Sequence, residues 1–120
     1  MALNAVVFPI LPGKTADWHK FIAEINGPRR AEFVASRERV GAVERTYLQP
    51  TPMGDLVVVT IEAEDPGKAF GQIVHATDAF TVWFLEQVKA LHGVDLAGPM
   101  PEGGPSKQVV NTARVPALAK

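Results

Sequence analysis

Residues 65–93 read DPGKAFGQIVHATDAFTVWFLEQVKALHG and hold the densest apolar and aromatic content of the chain. Asp65-Pro66 is typical of a helix start, and Gly93 is typical of a helix end. Between them, mostly apolar side chains recur at every third or fourth position and predict a helical face that covers a core: Phe70, Ile73, Thr77, Phe80, Phe84, Val88 and Leu91. A cap at Thr77 or Asp78 would also allow a second helix to begin there. One long helix and two shorter helices therefore both fit the pattern.

The strand that precedes this stretch, Leu56 to Ala63, is the strongest strand of the sequence and has two informative sides. One side is wholly apolar: Val57, Val59, Ile61 and Ala63. The opposite side begins with Leu56 and Val58, which a sheet covered by helices on one face would leave in water. We therefore expect the same face of a second copy to cover them across a twofold axis, which predicts a homodimer through the sheet face.

Three further strands are predicted around it, namely Ala5 to Leu11, Ala42 to Gln49 and Lys107 to Val115. Pro9 has no N–H to give to a ladder, so the first strand should lie at a sheet edge or carry a bulge. Two helical segments separate the first strand from the next. Thr15 is suited to cap the first segment, which carries an apolar stripe of Trp18, Phe21, Ile22 and Ile25. The second segment is rich in arginine, which indicates either a solvated face or an anion site.

The order of strand, helices, strand, hairpin, strand, helix and strand is the split βαβ pattern of ferredoxin-like folds. The sequence therefore predicts an α+β domain with a four-stranded antiparallel sheet and helices on one face. We expect residues 1–115 to form this single domain and residues 116–120 to be a loose tail.

Composition narrows the function classes. The 120 residues carry a formal net charge of −1 and no cysteine. We therefore expect neither a positive electrostatic field that would attract nucleic acid nor a thiolate site. Apolar runs fall far short of the roughly 20 residues that a membrane span needs, and no basic segment precedes the first run. A cytoplasmic protein without membrane partner, nucleic-acid partner, metal or cofactor is predicted, and a small molecule remains a possible ligand.

The order of elements and several short motifs resemble the dimeric α/β-barrel superfamily, and more narrowly a group of uncharacterised bacterial proteins within it. The motifs are the Leu11-Pro12-Gly13-Lys14 turn, Asn26-Gly27-Pro28-Arg29, Ser36 to Gly41, Thr51 to Asp55 and the aromatic block Phe80 to Phe84. The resemblance implies two ferredoxin-like subunits whose sheets face each other. It does not imply one activity, because the superfamily includes cofactor-free monooxygenases, haem-degrading enzymes and isomerases.

Histidines and large aromatic residues are the candidate site residues. His75 adjoins the apolar stripe and could carry protons near neutral pH, so it is the candidate catalytic residue. Trp18, Tyr47, His75 and Trp83 are the candidate ligand-binding residues between helices and sheet. His92 before Gly93 fits a helix end, where an imidazolium is favoured.

Haem-degrading members supply a competing interpretation, since the resemblance places Asn4, Trp83 and His92 in the order of an asparagine, a tryptophan and an iron-ligating histidine. The Trp83 to His92 interval is a residue short of that pattern, which rotates a helical side chain by about 100°. The sequence as a whole predicts a homodimer that binds a small apolar or aromatic ligand between helices and sheet. A cofactor-independent monooxygenase or isomerase is the alternative, and the sequence leaves open whether the protein is an enzyme.

Overall fold

The computed structural model describes residues 1–99 and 104–113. Within those ranges the chain forms three strands and four helices: β1 (Ala2–Pro9), α1 (Thr15–Asn26), α2 (Arg30–Glu38), β2 (Val43–Thr51), β3 (Gly54–Ala63), α3 (Pro66–Val74) and α4 (Ala79–His92). The α+β class predicted from the sequence is confirmed.

The sheet is antiparallel with strand order β1-β3-β2. β3 lies in the centre, and Val59 pairs with Val6 of β1 on one side and with Thr46 of β2 on the other. β1 occupies an edge, as the missing N–H of Pro9 predicted. β2 and β3 form a hairpin whose tight turn uses Gly54 at a φ of 125°, a region that favours glycine.

The prediction of a four-stranded sheet is wrong for the described residues. Residues 107–113 of the predicted last strand are exposed and form no strand, and the nearby Ser106 N–H donates one hydrogen bond of 2.8 Å to the carbonyl of Ala5 at the edge of β1. This segment offers only a few apolar side chains, among them Val109 and Val110, which gives little burial to offset the entropy cost of ordering a strand. Residues 114 and 115 and the predicted tail at 116–120 lie outside the described residues.

The stretch from Asp65 to Gly93 is two helices. α3 begins after Asp65, and α4 begins after Asp78, whose carboxylate accepts hydrogen bonds from the Thr81 N–H at 3.1 Å and the Thr81 hydroxyl at 2.7 Å. Gly93 ends α4 in the left-handed conformation. The buried residues of α3 pack with Ile61 and Ala63, whereas those of α4 pack with Val57, so the two helices cover different parts of the sheet.

All four helices pack towards one face of the sheet, where the core lies. A larger cluster joins α1 and α4 to Val57 and Ile10, and a smaller cluster joins α3 to Ile61 and Ala63. Within the described part of the chain, no helix is both long and apolar enough to cross a bilayer.

The opposite face of the sheet carries exposed apolar side chains that none of the four described helices covers. Leu3 and Val7 of β1 and Tyr47 of β2 are each about half exposed, and β3 adds Val58 between them. The charged side chains on this face pair with each other, since Arg45 lies 3.1 Å from Glu62 across the β2–β3 ladder. We call this surface the outer sheet face. It is apolar with its charges balanced.

Candidate functional site

A cavity of about 60 Å³ lies between the helices and the sheet, and we call it the inner cavity. Residues of β1, β3, α1, α3 and α4 form most of its walls. They are apolar or aromatic except for four residues, which are Arg37, Glu44, Thr46 and His92. An apolar cavity with a few convergent polar groups is the usual character of a small-molecule site.

Arg37 and Glu44 form an ion pair on the wall of the inner cavity. The Arg37 Nε donates to the Glu44 Oε1 at 2.7 Å, and both side chains are only 7% exposed. A second donor of Arg37, Nη1, bonds the Ser36 hydroxyl at 2.9 Å, and the guanidinium lies against the rings of Phe33 and Phe84. The pair therefore presents charged atoms without net charge, and two donors of Arg37 are engaged in hydrogen bonds while its guanidinium packs against two aromatic rings.

His92 is the buried histidine of the described residues, with a side chain that is 6% exposed at the end of α4. Its Nδ1 lies 2.7 Å from the carbonyl oxygen of Pro9, which can only accept, so Nδ1 carries the proton. Burial lowers the pKa of His92 below its ordinary value of 6.5, and the weaker influence of the Pro9 carbonyl raises it. The ring is therefore neutral near pH 7, contrary to the expectation of an imidazolium at the helix end.

The remaining nitrogen of His92, Nε2, is then a hydrogen-bond acceptor. It makes no hydrogen bond within residues 1–99 and 104–113. In those residues, every fully buried side-chain nitrogen or oxygen has a hydrogen-bond partner. Since Nε2 has none, it must border accessible volume. A neutral, oriented imidazole at the wall of an apolar cavity can accept a hydrogen bond or a proton from a bound molecule.

A second depression lies at the β1 edge beside the inner cavity, and we call it the outer concavity. It has a volume of about 240 Å³, and its lining is Asn4, Val6, Ile61, Pro66, Gly67, Phe70 and Pro105. Three of these residues, Val6, Ile61 and Phe70, also line the inner cavity. The two spaces are therefore separated by shared side chains.

The structure brings only one of the four predicted ligand-binding residues to the inner cavity. Trp18 is buried and lines it. Tyr47 lies on the outer sheet face, on the far side of the sheet from the cavity. His75 is exposed at the end of α3, and Trp83 borders a separate surface groove, where the Arg29 guanidinium lies 4.1 Å from its ring centre.

The three residues of the haem interpretation border three different spaces. Asn4 lines the outer concavity, Trp83 lines the surface groove beside α1, and His92 lines the inner cavity. The inner cavity is also several times smaller than the roughly 300 Å³ at which small-molecule pockets begin.

Arg37 and Glu44 were not predicted as site residues. The arginine-rich segment suggested a solvated face or an anion site, but Arg37 points inward and has a carboxylate partner. The sequence did contain a signal for the pair, because Glu44 lies on the same side of its strand as the core residue Leu48. A carboxylate that is buried on that side needs a cation as its partner. Nothing in the spacing of seven residues shows that the turn at Gly41 brings the two side chains together.

Among the described residues, no group of three or more histidine, aspartate, glutamate or cysteine side chains is arranged to hold a metal ion. No family model, curated protein or solved structure matches this chain. The site must therefore be judged by its own geometry.

Proposed function

We propose that this protein binds a small, uncharged apolar or aromatic molecule between its helices and its sheet. The observation that carries the proposal is the inner cavity, whose walls are apolar except at Thr46, His92 and the internally neutralised pair of Arg37 and Glu44, with the outer concavity beside it as additional volume. A charged ligand would lose hydration there without finding an unpaired countercharge. An apolar ligand would gain from the removal of its surface from water.

A cavity-filling substitution tests this proposal. Val59→Phe places a ring in the centre of the inner cavity, whereas Val82→Phe adds the same ring at an exposed position on α4 that does not line it. We expect calorimetry with n-butylbenzene, indole and 1-naphthol to detect binding by the wild type and by Val82→Phe, and not by Val59→Phe. No binding by the wild type to any of these probes, or equal binding by both variants, would contradict the proposal.

An enzymatic role is the second candidate, and the specific observation in its favour is the neutral, buried His92. In a cofactor-independent monooxygenase or isomerase, Nε2 of His92 would accept a proton from the bound molecule. The sequence pattern predicted this role for His75, which is exposed and does not line the inner cavity.

The two histidines can be separated by experiment. A bound probe should be converted, with or without oxygen uptake, by the wild type and by His75→Ala, and not by His92→Gln. Loss of conversion in His75→Ala alone would restore the sequence-based assignment. Binding without any conversion across a panel of quinols and enolisable ketones would support the binding function and would exclude the enzymatic role for the molecules tested.

We also propose that two copies associate through the outer sheet face as a dimeric α/β barrel. Support comes from the exposed apolar side chains there and from the Arg45–Glu62 pair, which leaves the face without a net charge to select a charged partner. A second copy presents the same neutral, apolar surface, as an isologous interface requires.

The mass in solution tests the dimer. We expect light scattering at micromolar concentration to give a dimer for the wild type and a monomer for Val58→Lys, because a cation on the central strand would lie in the interface. Met53→Lys at the exposed hairpin tip is the matched control and should remain a dimer. A monomeric wild type would contradict the proposal.

A further inference from the structure

We propose that the inner cavity and the outer concavity are one binding site, that a ligand enters it from the β1 edge, and that the side chain of Phe70 is the gate between its two compartments. This inference rests on the proposed binding function. It adds the route of entry, the residue that controls it and the shape of the ligand.

Phe70 lies at the boundary of the two compartments. Its ring borders both of them, together with Val6 and Ile61 of the sheet. Val6 and Ile61 are short side chains on paired strands whose backbone is fixed by the ladder, so they form a floor that both compartments share. Phe70 approaches from the helix layer and is the large side chain among the three. Movement of this one ring would join the compartments.

In the described ranges, the ring of Phe70 lacks the aromatic contacts that the other phenylalanine rings make. The chain has six phenylalanines. Among the described residues, five of them have a ring partner: Phe8 packs on His92, and Phe21, Phe33, Phe80 and Phe84 contact one another or Trp83. Phe70 has no ring partner there and is only partly buried. A change of its rotamer therefore breaks no aromatic pair.

The neighbouring turn of α3 gives the ring space to move. A helical side chain lies over the residues three and four positions before it, which for Phe70 are Gly67 and Pro66. Both border the outer concavity, and Gly67 has no side chain to obstruct the ring. The outer rim is formed by Pro105, next to the hydrogen bond from Ser106 to the edge of β1.

The volumes of the inner cavity and the outer concavity are a reason to treat them as one site. The inner cavity holds about 60 Å³ and the outer concavity about 240 Å³, so together they reach about 300 Å³. The inner cavity alone is too small for more than a few waters, whereas about 300 Å³ is the lower end of small-molecule pockets. One ring with a short side chain fits that range.

The polar groups indicate the chemistry of the ligand. Asn4 lies on the helix side of β1, is partly buried and makes no side-chain hydrogen bond within the described ranges, so its amide is available at the outer end. Phe8, which packs on His92, follows four residues later on the same strand, about 13 Å away. The ligand class is therefore an elongated, uncharged molecule with an apolar body and a hydrogen-bonding group that the Asn4 amide meets.

The test uses n-butylbenzene and 4-butylphenol as probes, with methyl and side-chain amide NMR signals as reporters on the full chain. Phe70→Ala and Phe70→Leu remove or shorten the gate, and Phe70→Trp enlarges it. Val82→Ala is the control, because Val82 is exposed on α4 and lines neither compartment. Phe70→Leu keeps an apolar side chain and serves if Phe70→Ala does not fold.

We expect the association rate of both probes to rise about tenfold or more in Phe70→Ala or Phe70→Leu, since an open minor state of roughly 0.1–10% limits entry in the wild type. The rate should fall in Phe70→Trp and stay unchanged in Val82→Ala. 4-Butylphenol should also shift the Asn4 amide signal, and Asn4→Ala should weaken its binding relative to that of n-butylbenzene.

The outcomes distinguish the two levels of inference. If neither probe shifts any signal from residues of either compartment, the binding function itself fails. If those signals shift while the association rate is the same in all Phe70 variants, a ligand enters elsewhere and the gate is refuted. Shifts confined to the outer concavity, with none at Val57, Val59 and Val88 of the inner cavity, would refute the single joined site.

Discussion

Removal of the Glu44 carboxylate should be among the most destabilising single changes in this protein. Glu44→Leu leaves the Arg37 guanidinium in a site where its side chain is 7% exposed and its partner at 2.7 Å is gone. Leucine matches the apolar surroundings and adds no new polar group. The change therefore isolates the cost of an uncompensated buried cation.

The magnitude follows from the contacts that remain. Breaking a buried ion pair by removing one partner costs about 3–5 kcal/mol. Arg37 would keep its bond to Ser36 and its contacts with Phe33 and Phe84, which lie 4.7 and 4.8 Å from the guanidinium. We therefore expect the lower end, about 3 kcal/mol, which is a large fraction of the roughly 5–15 kcal/mol by which a domain is stable.

Urea unfolding followed by circular dichroism measures this cost, with Glu32→Gln as the control. Glu32 faces Arg29 at 3.4 Å, but that pair is substantially exposed, so its loss should cost less than about 1 kcal/mol. The double variant Arg37→Met with Glu44→Leu should recover most of the lost stability, because no charge is then left buried.

A cost of Glu44→Leu below about 1 kcal/mol, equal to that of the exposed control, would refute this reasoning. It would mean that water reaches Arg37 as soon as the carboxylate is removed. A double variant as unstable as the single variant would show instead that the pair is a net source of stability.

Three further predictions concern the two ends of α4 and the interior of α3. Burial lowers the pKa of His92, so below pH 6.5 the unfolded chain binds a proton that the folded chain does not bind. The free energy of unfolding should therefore be highest above that pH and fall as the pH is lowered. Urea unfolding between about pH 7.5 and 5.5 should show a smaller pH dependence for His92→Gln than for the wild type. Asp78→Ala removes both hydrogen bonds to Thr81 and should cost about 0.5–2 kcal/mol, while Asp78→Asn should retain most of the cap in the same assay. Gly93→Ala forces a side chain into a φ of 72° and should cost about 1–2 kcal/mol, whereas Gly71→Ala inside α3 should stabilise by about 0.4–1 kcal/mol. Equal signs for the two glycine variants would contradict the conformational argument.

The local signals in the sequence predicted most elements of the fold. Asp65-Pro66 and Gly93 bound the helical stretch, and Pro9 placed its strand at an edge of the sheet. These signals act within a few residues, because a cap or a missing N–H affects only its own turn or ladder position. Asp78 was a local signal too, but it competed with a continuous apolar face, and only the fold decided for two helices.

The lining of the inner cavity was predicted less well than the helices and strands, because its members come from separate elements. Trp18 was identified since a large aromatic residue on a core stripe must face the sheet, but Tyr47 lies on the other side of its strand, and His75 lies at an exposed helix end. The proximity of a residue to an apolar stripe in sequence does not fix the direction of its side chain.

The sequence by itself determined the α+β class, the helix boundaries at Asp65 and Gly93, and an apolar second face on the central strand, because capping and periodicity are short-range properties. Only the tertiary structure decided which polar groups are buried. His92 is neutral because the fold buries it, and the carbonyl of Pro9, 83 residues away, accepts the hydrogen bond that places its proton on Nδ1. Arg37 is internal because the turn before β2 brings Glu44 against it. Desolvation depends on everything that surrounds a group, so the chemistry of this cavity is a property of the assembled fold.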